Sequence, residues 1–124
     1  AKLVGSRPAV EDRPGRPDAT VRPVEELRYQ FTAELWLYPG EAGWVFATLP
    51  VDDAEEILEL VPHKRGFGSV KVTARIGATE WSTSIFPDKA SGSYLLPVKR
   101  PVRTRERVDI GDDVPITLSI RFEP

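Results

Sequence analysis

From Arg28 onward, apolar and polar positions alternate: Phe31, Ala33, Leu35 and Leu37 share one face, while Gln30, Thr32, Glu34 and Trp36 share the other. Period two predicts a β-strand. Pro39-Gly40 and Gly43 bracket a turn, and Trp44 to Leu49 return as a second strand, so a hairpin is expected here. Pro50 stops it. Asp52 is then placed to cap a helix with Glu55 at its third position, and Ala54, Ile57, Leu58 and Val61 follow at helical spacing until Pro62. Further on, Val70, Val72, Ala74 and Ile76 alternate with Lys71, Thr73 and Arg75, Gly77-Ala78 turns the chain, and Glu80 to Phe86 run back. Ser93 to Lys99 read as a fifth strand, Pro101 as the start of a short helical turn, and Val114 to Phe122 as a sixth strand with the cleanest alternation of all.

Six strands and one definite helix predict a mainly β fold. Most of the strands have one apolar face, and closure removes unpaired edges. The expectation is therefore a small six-stranded closed or nearly closed β-barrel with one or two capping helices. Residues 1–24 stand apart from this pattern, with four prolines, five basic and three acidic residues and few large apolar side chains. They are expected to form a flexible Pro/Arg-rich arm ahead of a single domain over residues 25–124. Ala1 is small enough to follow a removed initiator Met.

Composition narrows the chemistry. In 124 residues there is no Cys and one His, His63, which removes thiolate nucleophiles, cysteine metal sites and multi-histidine motifs, so neither a metal nor a cofactor is expected. No apolar stretch is long enough to cross a membrane and no h-region follows the basic residues near the start, so the expected location is the cytoplasm. The formal charge is −2, and residues 25–124 carry twelve basic against sixteen acidic side chains, which argues against nucleic acid as a partner.

Several segments resemble the bacterial family known as domain of unknown function nineteen-oh-five. They are Trp81-Ser82-Thr83-Ser84-Ile85-Phe86-Pro87, Gly92 to Lys99, Val102-Arg103 and Gly111-Asp112-Asp113-Val114, with Phe31 to Leu35 and Gly43 to Pro50 resembling that family's first hairpin. The resemblance implies a small barrel with capping helices and supplies no reaction. Some relatives carry a bacteriocin-protection-type domain after the barrel, and nothing in residues 1–124 resembles it.

Two groups of side chains are candidates for a site. Lys99, Arg100, Arg103, Arg105 and Arg107 form the largest charge bias, and a helix over 101–107 would put Arg100, Arg103 and Arg107 on one face suited to phosphate or carboxylate oxygens. The ordinary role of such a run is a solvated helix face. The second group is Trp44, Phe46, Trp81, Ser82, Ser84 and Tyr94, aromatic walls with hydroxyls of the kind that line small-ligand pockets, although a small barrel commonly fills itself with such rings. Period two sets Ser82 and Ser84 opposite Trp81 and Thr83, so one of these pairs must point inward.

The leading expectation is a domain that binds a small anionic or aromatic ligand, or a protein partner, at the barrel mouth through Lys99, Arg103, Trp44, Trp81, Ser84 and Tyr94. The alternative is a small cofactor-independent enzyme of cyclase or isomerase type, using Glu34, Arg75, Tyr94 or Asp112 inside the barrel. An interior filled by Phe31, Val72, Ile76 and Ile116 would speak against that alternative. A third possibility, a structural or self-associating module, predicts an apolar exterior patch around Trp36 and Tyr38 and a homodimer. A triad of His63, Asp112 or Asp113 and Ser84 has no support in spacing, since His63 suits a helix C-terminus and the aspartates suit a turn.

Overall fold

The computed structural model describes residues 24–40, 42–62, 64 and 68–122. The expected arm, except Val24, and His63 lie outside the described residues. The strands are β1 (Glu25–Glu34), β2 (Trp36–Leu37), β3 (Val45–Thr48), β4 (Val70–Ile76), β5 (Thr79–Asp88), β6 (Ser93–Pro97) and β7 (Asp113–Phe122). Two helices interrupt them, α1 (Val51–Leu60) after β3 and α2 (Arg100–Glu106) after β6.

All seven strands join one antiparallel sheet in the order β1-β7-β4-β5-β6-β3-β2, which curls into an open half-barrel. The expected closed six-stranded barrel is therefore corrected. The first extended stretch breaks at Leu35, whose N–H donates to the Asp112 carbonyl and whose carbonyl accepts from Gly111 N–H. Before the break the chain pairs with β7, and after it Trp36 and Leu37 pair with Phe46 and Val45. Continuing that second register would set Thr32 opposite Pro50. Proline has no N–H to donate and here starts a helix, so β3 ends and β1 keeps one unpaired edge.

Alternation decides the interior. Leu27, Tyr29 and Phe31 of β1 face Ile120, Leu118 and Ile116 of β7, and Val72, Ala74 and Ile76 of β4 complete the same layer. From the other half come Val45 and Ala47, Ile85, and Leu96 with Val98. Helix α1 lays Ala54 and Ile57 over this core, followed by Val61. It starts two residues earlier than the Asp52 cap predicted: Pro50 is the N-cap, its carbonyl accepting from Ala54 N–H at 3.0 Å, and Asp52 and Asp53 occupy the first turn, where the helix dipole favours carboxylates. Leu58, expected on the buried face, is exposed. At the other end Lys64 Nζ donates to the Leu58 carbonyl at 3.0 Å and to the Val61 carbonyl, a cation on the helix C-terminus.

Tyr29 ties the sheet to this helix, its hydroxyl donating to Glu56 Oε1 at 2.8 Å. Burial, the hydrogen bond to Glu56, and the negative charge of Glu56 and Asp53 push the phenol well above its ordinary value. The folded state thus holds Tyr29 neutral where an unfolded chain ionises it, at about pH 10. The contribution is complete below that pH and is lost as pH rises above it. Urea unfolding at pH 9 and pH 11 is expected to show lower stability at pH 11, with a smaller fall in Tyr29→Phe; an equal fall in both proteins would remove Tyr29 as the cause.

Candidate functional site

The outer face of β2, β3, β6 and β5 is built of rings, hydroxyls and cations. With Val45 and Ala47 turned inward, period two turns Trp44, Phe46 and Thr48 outward. Phe46 sits between Trp36 on β2 and Pro97 on β6. Trp36, Tyr38 and Trp44 close around Phe46 with ring centroids 5.6–5.9 Å away, Trp44 stacking on it at an interplanar angle of 18°. Phe46 is thereby buried on what is nominally the solvent side, at 8% exposure, while Trp44 keeps 47% and Tyr38 46%. Trp36 is anchored by its indole N–H, which donates to Thr48 Oγ1 at 2.9 Å. The hairpin is held by Tyr38 N–H donating to the Trp44 carbonyl at 2.8 Å.

Two adjoining clefts flank Trp44. One, of about 350 Å³, is lined by Trp44, Lys71, Ser82, Ser84, Phe86 and Lys99. The other, of about 370 Å³, runs from Trp44 and Lys99 to Arg100 and Arg103. Ser84 lies directly opposite Lys71 across the β4–β5 ladder. Arg103 is oriented by one N–H, donating to the Val98 carbonyl at 2.6 Å. No described residue lining either cleft is a carboxylate, and among the described residues Lys71, Lys99, Arg100 and Arg103 form no ion pair.

Four of the six expected site residues, Trp44, Ser84, Lys99 and Arg103, thus meet on one surface. Trp81 and Tyr94 do not join them. Trp81 pairs with Ala74 and points inward, packed against the core with its indole N–H buried and unpartnered. Tyr94 is buried on the inner side of β6 beside α1, where desolvation raises its phenol above the ordinary value. Arg107 leaves the expected arginine face because it caps α2 in the left-handed conformation, at φ 59°. Arg100 of the expected basic run joins the site, and Lys71 and Phe86 are additions to it. Lys71 and Phe86 were visible as outward positions of their strands, but only the β4–β5–β6 pairing brings them beside Trp44.

The residues considered for chemistry inside the barrel lie elsewhere. Phe31, Val72, Ile76 and Ile116 are all buried in the apolar core, while Glu34, Arg75 and Asp112 are exposed. Asp112 Oδ2 accepts from Asp109 N–H at 2.8 Å, an ordinary turn contact. A hollow of about 930 Å³, larger than either cleft, lies over the polar outer face of β1, β7 and β4. Its arginines are occupied: Arg28 lies 3.7 Å from Glu26, and Arg75 Nε donates to the Gly77 carbonyl at 3.1 Å. A water-facing antiparallel sheet is polar for ordinary reasons, and nothing further marks this hollow.

Residues 31–118 match the family described as Domain of unknown function (DUF1905). The chain belongs to that family. The matched stretch holds every residue of the two clefts, so the aromatic and cationic face of this DUF1905 domain lies within the family's own unit. The family's description names no reaction or ligand, and no curated protein matches the chain. Among the described residues no helix is long and apolar enough to cross a membrane.

Proposed function

We propose that this DUF1905 domain is a bacterial, cytoplasmic, cofactor-independent binding domain whose clefts around Trp44 take a small anionic ligand carrying a planar ring. The observation that carries this reading is the convergence of four cations without a carboxylate on a half-exposed indole. An indole face offers an apolar platform for a ring, and guanidinium and ammonium groups give charge-assisted hydrogen bonds to phosphate or carboxylate oxygens. Ser82 and Ser84 add hydroxyls that can donate or accept at the ring's edge. The site lies on the outer wall of the half-barrel. The enzyme alternative finds less support, because the interior where it would work is packed with aliphatic and aromatic side chains.

A ligand that binds only the folded protein raises its melting temperature. Adenosine monophosphate and salicylate are expected to raise Tm in a dose-dependent way, whereas inorganic phosphate and adenosine leave it unchanged. Trp44→Ala or Arg103→Ala is expected to weaken the response about tenfold or more, the loss of one stacking or charged contact. An undiminished response in both variants would sink the reading.

The same rings support a second reading, self-association, since Tyr38, Trp44 and Phe86 are large apolar groups on one outer face. Sedimentation at rising concentration separates the two: a dimer abolished by Trp44→Ala favours it, and a monomer throughout removes it.

A further inference from the structure

We infer that the planar anionic unit held at this outer face is a nucleotide of single-stranded nucleic acid, with bases stacked on Trp44 and its neighbouring rings and phosphates held by Lys71, Lys99, Arg100 and Arg103. The inference rests on the binding reading above and gives that ligand a chemical class.

The two clefts share Trp44, Pro97 and Lys99 and so adjoin as one track past the indole. A single ring with one anionic group fills one cleft and leaves the cations of the other unmatched. A chain of alternating rings and phosphates matches both.

Tyr38, Trp44 and Phe86 are each more than a third exposed on an open sheet face, and every nucleobase has a flat face to lay on such a ring. Stacking of this kind needs unpaired bases. A duplex keeps its base faces inside, and α2, the helix beside the track, spans seven residues, too short to serve as a groove-reading helix. An acidic peptide would satisfy the cations but would leave the rings in water.

A formal charge of −2 argues against nucleic acid only as an average over the whole surface. In the structure the signs separate: the described lining of the track holds four cations and no carboxylate, and none of the four is neutralised by an ion pair among the described residues. A local basic groove is what tracks a phosphate backbone. The acidic remainder of the domain predicts modest affinity and strong dependence on salt.

Fluorescence anisotropy with a labelled oligothymidylate of about eight nucleotides, within the span such surfaces cover, tests the inference. The oligonucleotide is expected to bind at least about tenfold tighter than thymidine monophosphate, and a stable DNA hairpin whose stem pairs the same thymidines to bind much more weakly. Three or four phosphate contacts give a slope of log K against log salt of about −2 to −3 for a single strand. Trp44→Ala should weaken binding by about tenfold or more with the slope unchanged, and Lys99→Ala should reduce the slope by about 0.7. Arg28→Ala, on the other outer face, should change neither. Circular dichroism confirms that each variant is folded, and Lys99→Glu repeats the test without touching a ring.

Several results would overturn the inference. Thymidine monophosphate binding as tightly as the oligonucleotide leaves the small-ligand reading standing and removes the polymer. Full affinity in Trp44→Ala removes stacking. Equal binding of a polyglutamate peptide assigns the track to an acidic protein segment. Failure of the oligonucleotide to bind folded protein removes the inference whatever small anions do.

Discussion

Leu118→Ala is expected to lower the unfolding free energy by about 3–4 kcal/mol, near the middle of the range for a buried leucine truncated to alanine. Leu118 is fully buried at the middle of β7, the strand that pairs with β1 on one side and β4 on the other. Its inward neighbours in the same row are Tyr29 on β1 and Ala74 on β4. A strand hydrogen-bonded along both edges cannot move in to fill a void, and Tyr29 is itself held by its bond to Glu56. The cavity therefore persists, and both the lost transfer energy and the cavity term count. A domain of this size has a total stability of about 5–15 kcal/mol, so the variant should unfold at markedly lower urea with an unchanged m-value. A loss under about 1 kcal/mol would mean that the row collapses around the smaller side chain and that β7 is not the fixed centre of the sheet.

Gly77→Ala is the second large effect, expected to cost about 2 kcal/mol through two additive causes. Gly77 turns the β4–β5 hairpin at φ +59°, a left-handed conformation that costs about 1 kcal/mol for a residue with a Cβ. A Cβ at this position would also run into the Glu106 carboxylate of α2. That carboxylate can swing aside only by releasing the Thr79 hydroxyl, which donates to its Oε2 at 2.5 Å and fixes α2 against the hairpin. The released bond adds about 1 kcal/mol. A double-mutant cycle separates the two causes: in a Glu106→Ala background Gly77→Ala should cost about half as much, leaving the backbone part. An unchanged cost in that background would show that the helix contact contributes nothing.

Part of the candidate site could be read from strand parity alone. Ser84 and Trp81 are three positions apart on β5, and Lys99 and Tyr94 are five apart beginning on β6. Odd separations along an extended chain place side chains on opposite faces. A set containing Ser84 and Lys99 therefore could not also hold Trp81 and Tyr94 on the same face, and the structure separates them accordingly. The meeting of Trp44, Lys71 and Lys99 was not legible in this way. They come from segments far apart in the chain, and only the pairing order β4-β5-β6-β3 sets them side by side.

The same limit applies to the half-barrel itself. Alternation along β7, the proline that ends β3 and the apolar spacing of α1 determined the elements, because each depends on nearest neighbours in the chain. They also determined most of the core, since a strand with one apolar face has one way to bury it. At the start of β3, where Trp44 just before the strand and Phe46 within it alternate with Val45 and Ala47, both faces are apolar and the pattern has no preferred side. Packing resolved that choice. The aliphatic side chains pack inward with α1, and the rings stack on each other outside. Tertiary structure alone decided that the sheet stays open at β1, because the Leu35 break and the end of β3 at Pro50 act together across strands that are distant in sequence.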